Sequence, residues 1–230
     1  ILQTPEEAAA ARYDESARGW SPTDKKNVKG RKLAGDYEWQ DRDGDGVISS
    51  KDQFELGVSV PHTTGGLANN FSYGSFGLNI FVDWALGHSI NHTAYMRYFM
   101  NTFANNYTLV EEVNQTWKNA GDQSKYARFT ANDPDTGNSN FSRTSDVFNY
   151  KGDYLCLREV SFLYQLPETW SKRIGIRSMQ LSVSGQNLFY FSALRGTGIS
   201  PEVGTSTTYG NDYYNYPAIR KIAIGAKLTL

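Results

Sequence analysis

Residues 179–191 read MQLSVSGQNLFYF. Met179, Leu181, Val183, Phe189 and Phe191 fall on one side of an extended chain, with Gln180, Ser182, Ser184 and Gln186 on the other. Successive side chains of a strand point to opposite faces, so this spacing predicts a strand with one apolar and one wet face. Four further segments repeat the two-residue period. Residues 66–73 bring Leu67, Phe71 and Tyr73 together, and 77–87 set Leu78, Ile80, Val82 and Trp84 against Asn79 and Asp83. Residues 160–166 align Val160, Phe162, Tyr164 and Leu166, with Arg158 breaking the alternation just upstream. Residues 222–230 oppose Ile222, Ile224, Ala226, Leu228 and Leu230 to Lys227 and Thr229. The polar faces suit water; the apolar faces suit either a protein core or lipid.

The connections alternate in length. A tight link at Gly74 and Ser75 joins the first two strands, and the long stretch 88–152 leads to the third. A short link at 167–176 leads to the fourth, and another long stretch, 192–218, to the fifth. Short turns at one end and long loops at the other are the pattern of outer-membrane barrels, whose short turns are periplasmic. A Greek-key sandwich has no reason to alternate so regularly.

Composition narrows the class. Of 230 residues only 39% are hydrophobic, yet 14% are aromatic, including 15 Tyr and 12 Phe, a pairing that suits transmembrane barrels with aromatic girdles and also sugar-binding β-sandwiches. A formal charge of −1 supplies no basic field, so nucleic acid is not an expected partner. No run of about 18 apolar residues exists to form a membrane-spanning helix. The single cysteine, Cys156, excludes an internal disulfide framework and a cysteine-based zinc site. Residues 5–17 (PEEAAAARYDESA) favour a short helix, and Tyr95, Phe99 and Phe103 in 92–104 have the spacing of a second one.

Several runs carry a family likeness. GDYEWQDRDGDGVIS (35–49) followed by NFSYGSFGLNIFVDWALGHSI (70–90), GDYLCLREVSFLYQLP (152–167), SVSGQNLFYFS (182–192) and YPAIRKIAIGAKLTL (216–230) resemble, in order, the late barrel region of the SusC/RagA family of TonB-dependent outer-membrane transporters. Cys156, Glu159 and Leu230 depart from the family pattern, which has Arg, Asn and a terminal aromatic residue at these places. The resemblance implies an all-β fold: five or six antiparallel strands of a barrel of about 22, with long extracellular loops. Five strands cannot close a cylinder, and an open edge cannot face lipid, so this chain is expected to be the C-terminal portion of a longer polypeptide. Residues 1–64 are then an extracellular loop region and 65–230 the barrel strands and their loops. The resemblance also implies an outer membrane of a Gram-negative bacterium of the Bacteroidota, import of oligosaccharides or peptides, a SusD-like lipoprotein lid and the TonB complex acting through a plug. The remaining partners are the other barrel strands, the plug itself and outer-membrane lipid.

Residues 41–52, DRDGDGVISSKD, have the spacing of an EF-hand loop. Asp41, Asp43 and Asp45 occupy its positions 1, 3 and 5, Gly46 makes the turn, Val47 offers a backbone carbonyl, and Asp52 closes the set. A hard cation needs six to eight oxygens, which alternating aspartates round a glycine turn supply. Ca2+ in a structural role is the expected occupant, with Mg2+ as the alternative because Asp52 reaches less far than Glu. An Asp-Gly turn using its carboxylates for local hydrogen bonds is the competing reading. With the C-terminus periplasmic and five crossings before it, residues ahead of 66 fall on the extracellular side.

Tyr209, Tyr213, Tyr214 and Tyr216 cluster in the last long loop and are candidate substrate contacts, with loop packing or a girdle as the favoured alternative. Trp84, Trp117 and Trp170 read as girdle or packing residues. His62, His88 and His92 do not form a zinc pattern, and no nucleophile elbow or phosphate loop occurs. No catalytic residue is expected, and the chain does not read as an enzyme. The alternative to a transporter segment is a secreted, calcium-stabilised carbohydrate-binding β-sandwich.

Overall fold

The computed structural model describes residues 1–21, 23, 28–92, 111–130, 133–141, 145–173, 175–202, 216 and 218–229. The chain forms two compact units, one of Ile1–Leu56 with Thr93–Phe148 and the other of Gly57–His92 with Asn149–Leu230. This division differs from the single cut at 64/65 expected from sequence: the first unit takes residues from two separated stretches.

In the first unit Thr4 caps a helix at Pro5–Ala10, its hydroxyl accepting the Glu7 N–H at 3.2 Å, with Pro5 where a missing N–H does no harm. The helix expected over 5–17 stops there. Tyr13–Asp14 (β1) instead pairs in parallel with Val47–Ile48 (β2), and Asp14 is drawn inward to a buried ion pair with Lys32 at 3.0 Å. Tertiary pairing overrides an Ala-rich local preference. Tyr37, Tyr126, Ala127, Phe141 and Phe148 form the core. Gly35, at φ +87°, lies under Trp117, where any side chain would strike the indole at 2.2 Å, so Trp117 packs within this unit.

Beside that core is a polar network. The fully buried Asp36 accepts from Arg128 Nε at 2.6 Å, from the Leu33 N–H at 2.9 Å and from Asn140 Nδ2 at 3.0 Å. Arg128 Nη2 also reaches Asp133 at 2.9 Å. Burial opposes the charge on Asp133, but the Thr136 amide and Arg128 together hold it below the usual carboxylate range.

In the second unit Thr63–Tyr73 (β3), Phe76–Leu86 (β4), Tyr154–Gln165 (β7), Ser178–Ser192 (β8) and Lys221–Thr229 (β9) form one antiparallel sheet in the order β3-β4-β7-β8-β9. Between β4 and β7, Ser89–Asn91 (β5) pairs with Asn149–Lys151 (β6). Gly74, at φ +56°, makes the two-residue turn from β3 to β4. A six-residue helix, Glu168–Arg173, sits in the short β7–β8 link. All five expected strands are present, and β7 runs further upstream than 160–166 because a bulge at Arg158 lets it continue past the broken alternation. The helix expected around Tyr95, Phe99 and Phe103 lies outside the described residues, as does Leu230 in the last strand.

Replacing Arg128 by Met leaves Asp36 buried without its counter-charge. Pulse proteolysis of the intact protein should show the first unit destabilised by about 3 kcal/mol, the scale for breaking one partner of a buried pair. Acid should act at the same place. Stability carried by Asp133 is whole above the ordinary Asp value of about 3.9 and is lost as pH falls through its lower folded value.

Candidate functional site

The sheet's two faces are chemically opposite. Phe71, Leu78, Phe162, Val183 and Ile224 are consecutive cross-strand partners and form one apolar row over all five strands. Phe71 is 56% exposed, Val183 48% and Ile224 83%. The neighbouring row is Asn70, Asn79, Ser161, Ser184 and Ala223. A water-soluble sheet buries its apolar face; this one leaves it outward, free of Lys, Arg, Asp and Glu along the described strands. A β-sandwich would need a second sheet over Leu181 and Val183, and among the described residues the only others have two short strands each.

Aromatic residues mark both ends of the apolar face. Phe76 stacks on Tyr164 at 4.8 Å beside the exposed Tyr73, at the end with the short turns. Trp84 and the Phe189–Phe191 pair, with rings 4.6 Å apart, lie at the other end. Eight residues separate Phe76 from Trp84, or about 26 Å along a strand, which a tilt of about 40° shortens to about 20 Å. That lies within the apolar band of about 25 Å in an outer-membrane barrel. Trp170 is exposed beside the short-turn end, as a girdle residue would be.

On the polar face a bulge in β7 turns Arg158 inward. Its guanidinium donates to both oxygens of Asp83, from Nε at 2.9 Å and Nη2 at 2.7 Å. Nη1 reaches Asn187 Oδ1 at 2.8 Å and the Tyr190 hydroxyl at 3.3 Å, and Nη2 also bonds Glu202. Asn187 adopts a left-handed backbone, φ +52°, opposite the bulge. The break in alternation at Arg158 was visible in sequence; its partners, 29 to 75 positions away, were not.

The Asp-rich loop is the other built feature. Asp41, Asp43 and Asp45 bring carboxylate oxygens within 4.8 Å of one another. Asp41 accepts the N–H groups of Gly44 at 2.7 Å and Gly46 at 3.0 Å, Asp43 that of Asp45 at 3.2 Å, and Asp45 that of Val47 at 2.8 Å. Only Arg12, 3.6 Å from Asp41, and Lys51, 4.0 Å from Asp43, offset this charge among the described residues. Asp52 has a different task. It accepts the Ser49 N–H at 2.7 Å and the Arg42 N–H at 2.8 Å, closing a capping box with Ser49, and these bonds hold it below the usual carboxylate range. Of the expected ligands, then, three aspartates converge, Val47 follows directly, and Asp52 caps the loop from outside the trio. In the tyrosine cluster Tyr216 is exposed, while Tyr209, Tyr213 and Tyr214 lie outside the described residues.

Comparison with known proteins agrees with this geometry. The chain is 28% identical over 211 residues to TonB-dependent receptor P3 of Formosa agariphila and 22% identical over 211 residues to TonB-dependent receptor P26 of the same organism. These alignments cover 85% and 90% of the chain but 20% and 21% of the relatives, so the chain spans about a fifth of the length of the curated relatives it matches. No family model matches. Among solved structures, the RagAB peptide importer in its open-open and closed-closed states superposes with TM-scores of 0.58 and 0.59, each at 16% identity, covering 84% and 92% of this chain and 20% of those chains. At that identity the likeness speaks for the fold.

An antiparallel sheet with a charge-free outer face between two aromatic belts is the wall of a transmembrane β-barrel. The two receptors point the same way: over most of its length the chain is similar to a stretch of two TonB-dependent receptors, and its place is the outer membrane.

A lysine at Val183, near the middle of the apolar face, should cost about 2–4 kcal/mol of folding stability in lipid. The neighbouring Ser184→Lys, on the polar face, should leave assembly near normal. The fraction of heat-modifiable, folded protein in outer-membrane preparations measures both.

Proposed function

We propose that this chain forms part of the wall of a transporter that imports oligosaccharides or peptides across the outer membrane with energy delivered through TonB. The observation that carries the reading is the two-faced sheet: a continuous apolar row outward and a polar, charged face inward, which together suit a wall between lipid and a wet lumen. Peptide cargo is favoured by the named activity of the RagAB importer, whose fold the chain shares. A SusD-like lipoprotein acting as a lid over the long connections, and a plug that engages TonB, complete the proposed machine. No catalytic role is proposed for any residue.

The Asp-rich loop is proposed to hold Ca2+, with Mg2+ as the alternative. The three converging carboxylates of Asp41, Asp43 and Asp45 are the hard oxygen donors such an ion takes. The Val47 carbonyl would add to its shell, with Asp52 closing the loop behind it through the Ser49 and Arg42 amides. Because the chain enters β3 from the end where the long connections lie, this loop is proposed to be extracellular. A bound ion would cancel the repulsion among the aspartates and stiffen the loop beneath a lid.

In cells producing the full-length transporter, uptake of labelled peptides or oligosaccharides should saturate and should stop when a protonophore collapses the proton gradient. Uptake that persists, and rises linearly with concentration, would describe a passive pore and overturn the reading. For the loop, purified wild-type protein should carry calcium by elemental analysis and lose thermal stability on chelation. The Asp41→Ala/Asp45→Ala variant should carry less calcium and no longer respond to chelator. A wild-type protein indifferent to chelator returns the loop to a plain Asp-Gly turn.

A further inference from the structure

Residues 193–202, which leave β8 at Ser192, do not project away from the strand ends. Ile199 packs with Ile90 and Leu194 in a small apolar cluster, joined by Tyr150. The buried ring of His88 lies against the backbone of Pro201. Glu202, ten positions past the end of β8, bonds Arg158, which itself grips Asp83. Asp83 lies three residues inside the end of β4 and on the sheet's polar face. The segment has therefore turned back below the rim, along the inner wall. Its returning limb is tied to the same place: Asn187 Nδ2 donates to the Ile219 carbonyl at 3.0 Å, while Asn187 Oδ1 accepts from Arg158.

We propose that Arg158 is the pin that holds residues 194–202, the part of the β8–β9 connection next to β8, along the inner wall, so that they narrow the outer mouth of the lumen and limit the size of what passes. One guanidinium bridges a wall carboxylate, Asp83, and a loop carboxylate, Glu202. Without it the two acids face each other across a partly dry surface and repel. The bulge that turns Arg158 inward and the left-handed backbone at Asn187 are the local distortions that put both side chains at this junction. The consequence for cargo rests on the transport reading; the position of the segment does not.

The test uses Cys156, a lumen-side residue that is fully buried beside Tyr190. In outer membranes holding the full-length transporter, maleimides on polyethylene glycols of graded size are offered from outside, and modification of Cys156 is read by peptide mass, with Cys156→Ala as the blank. Arg158→Gln and Glu202→Gln should each speed labelling on the order of ten-fold and admit larger reagents, the scale expected for losing a hydrogen bond to a charged group. Glu202→Gln leaves the Arg158–Asp83 pair in the wall, and heat-modifiable migration reports whether each barrel is folded. Wild-type labelling rates in both folded variants overturn the proposal. Fast labelling in Arg158→Gln alone also overturns it, because Arg158 would then be serving the strand pairing and not the connection. None of these readouts depends on cargo uptake.

Discussion

Backbone amides and carbonyls in hydrocarbon have no water to fall back on, and each one left unpaired costs several kcal/mol. For extended chain the only remedy is a neighbouring strand on both sides. The long antiparallel ladders of β3, β4, β7, β8 and β9 meet that demand inside the sheet, with eleven consecutive Cα partners between β3 and β4 alone. Once strands must pair along their whole length, register follows. A one-residue slip would carry Val183 and Phe162 to the wet face and Ser184 and Ser161 into lipid.

The same demand explains where irregularity is allowed. Arg158 is the one arginine in β7, and a strict two-residue period would put its charge on the lipid side of the sheet. The bulge absorbs the extra residue, keeps Leu155 and Leu157 in line with the apolar face, and delivers the guanidinium to Asp83. A distortion that would be a defect in a regular ladder thus sorts charge from lipid. The first unit solves a different problem. Its many loops have few ladders, and it satisfies buried polar groups through side chains, as Asp36, Arg128, Asn140 and Asp133 do for one another and for nearby backbone.

Much of the transmembrane part was legible from residue order. Alternation is local, so Met179, Leu181 and Val183 reveal their face without knowledge of any partner. Turn length is equally local at Gly74 and Ser75. The Asp-rich loop was legible as a cluster, since Asp41, Asp43 and Asp45 are brought together by one glycine-bearing turn. The capping role of Asp52 was less so, because the same spacing serves a metal ligand and a helix cap alike. The short helix near the start was over-extended for a related reason: Ala and Glu favour a helix locally, but the pairing of Tyr13 and Asp14 with residues more than thirty positions away decides against it.

By itself the sequence determined strand identity, which face is apolar and the alternation of short and long connections, because each depends on neighbours a few positions apart and on a fixed two-residue period. Only the tertiary structure decided that the first unit draws on two separated stretches, that Asp36 and Arg128 anchor it, and that Arg158 joins Asp83, Asn187 and Glu202 at one point. Those are meetings between residues far apart along the chain. Charge complementarity makes many such pairings acceptable, and only the folded backbone brings one particular set within hydrogen-bond reach.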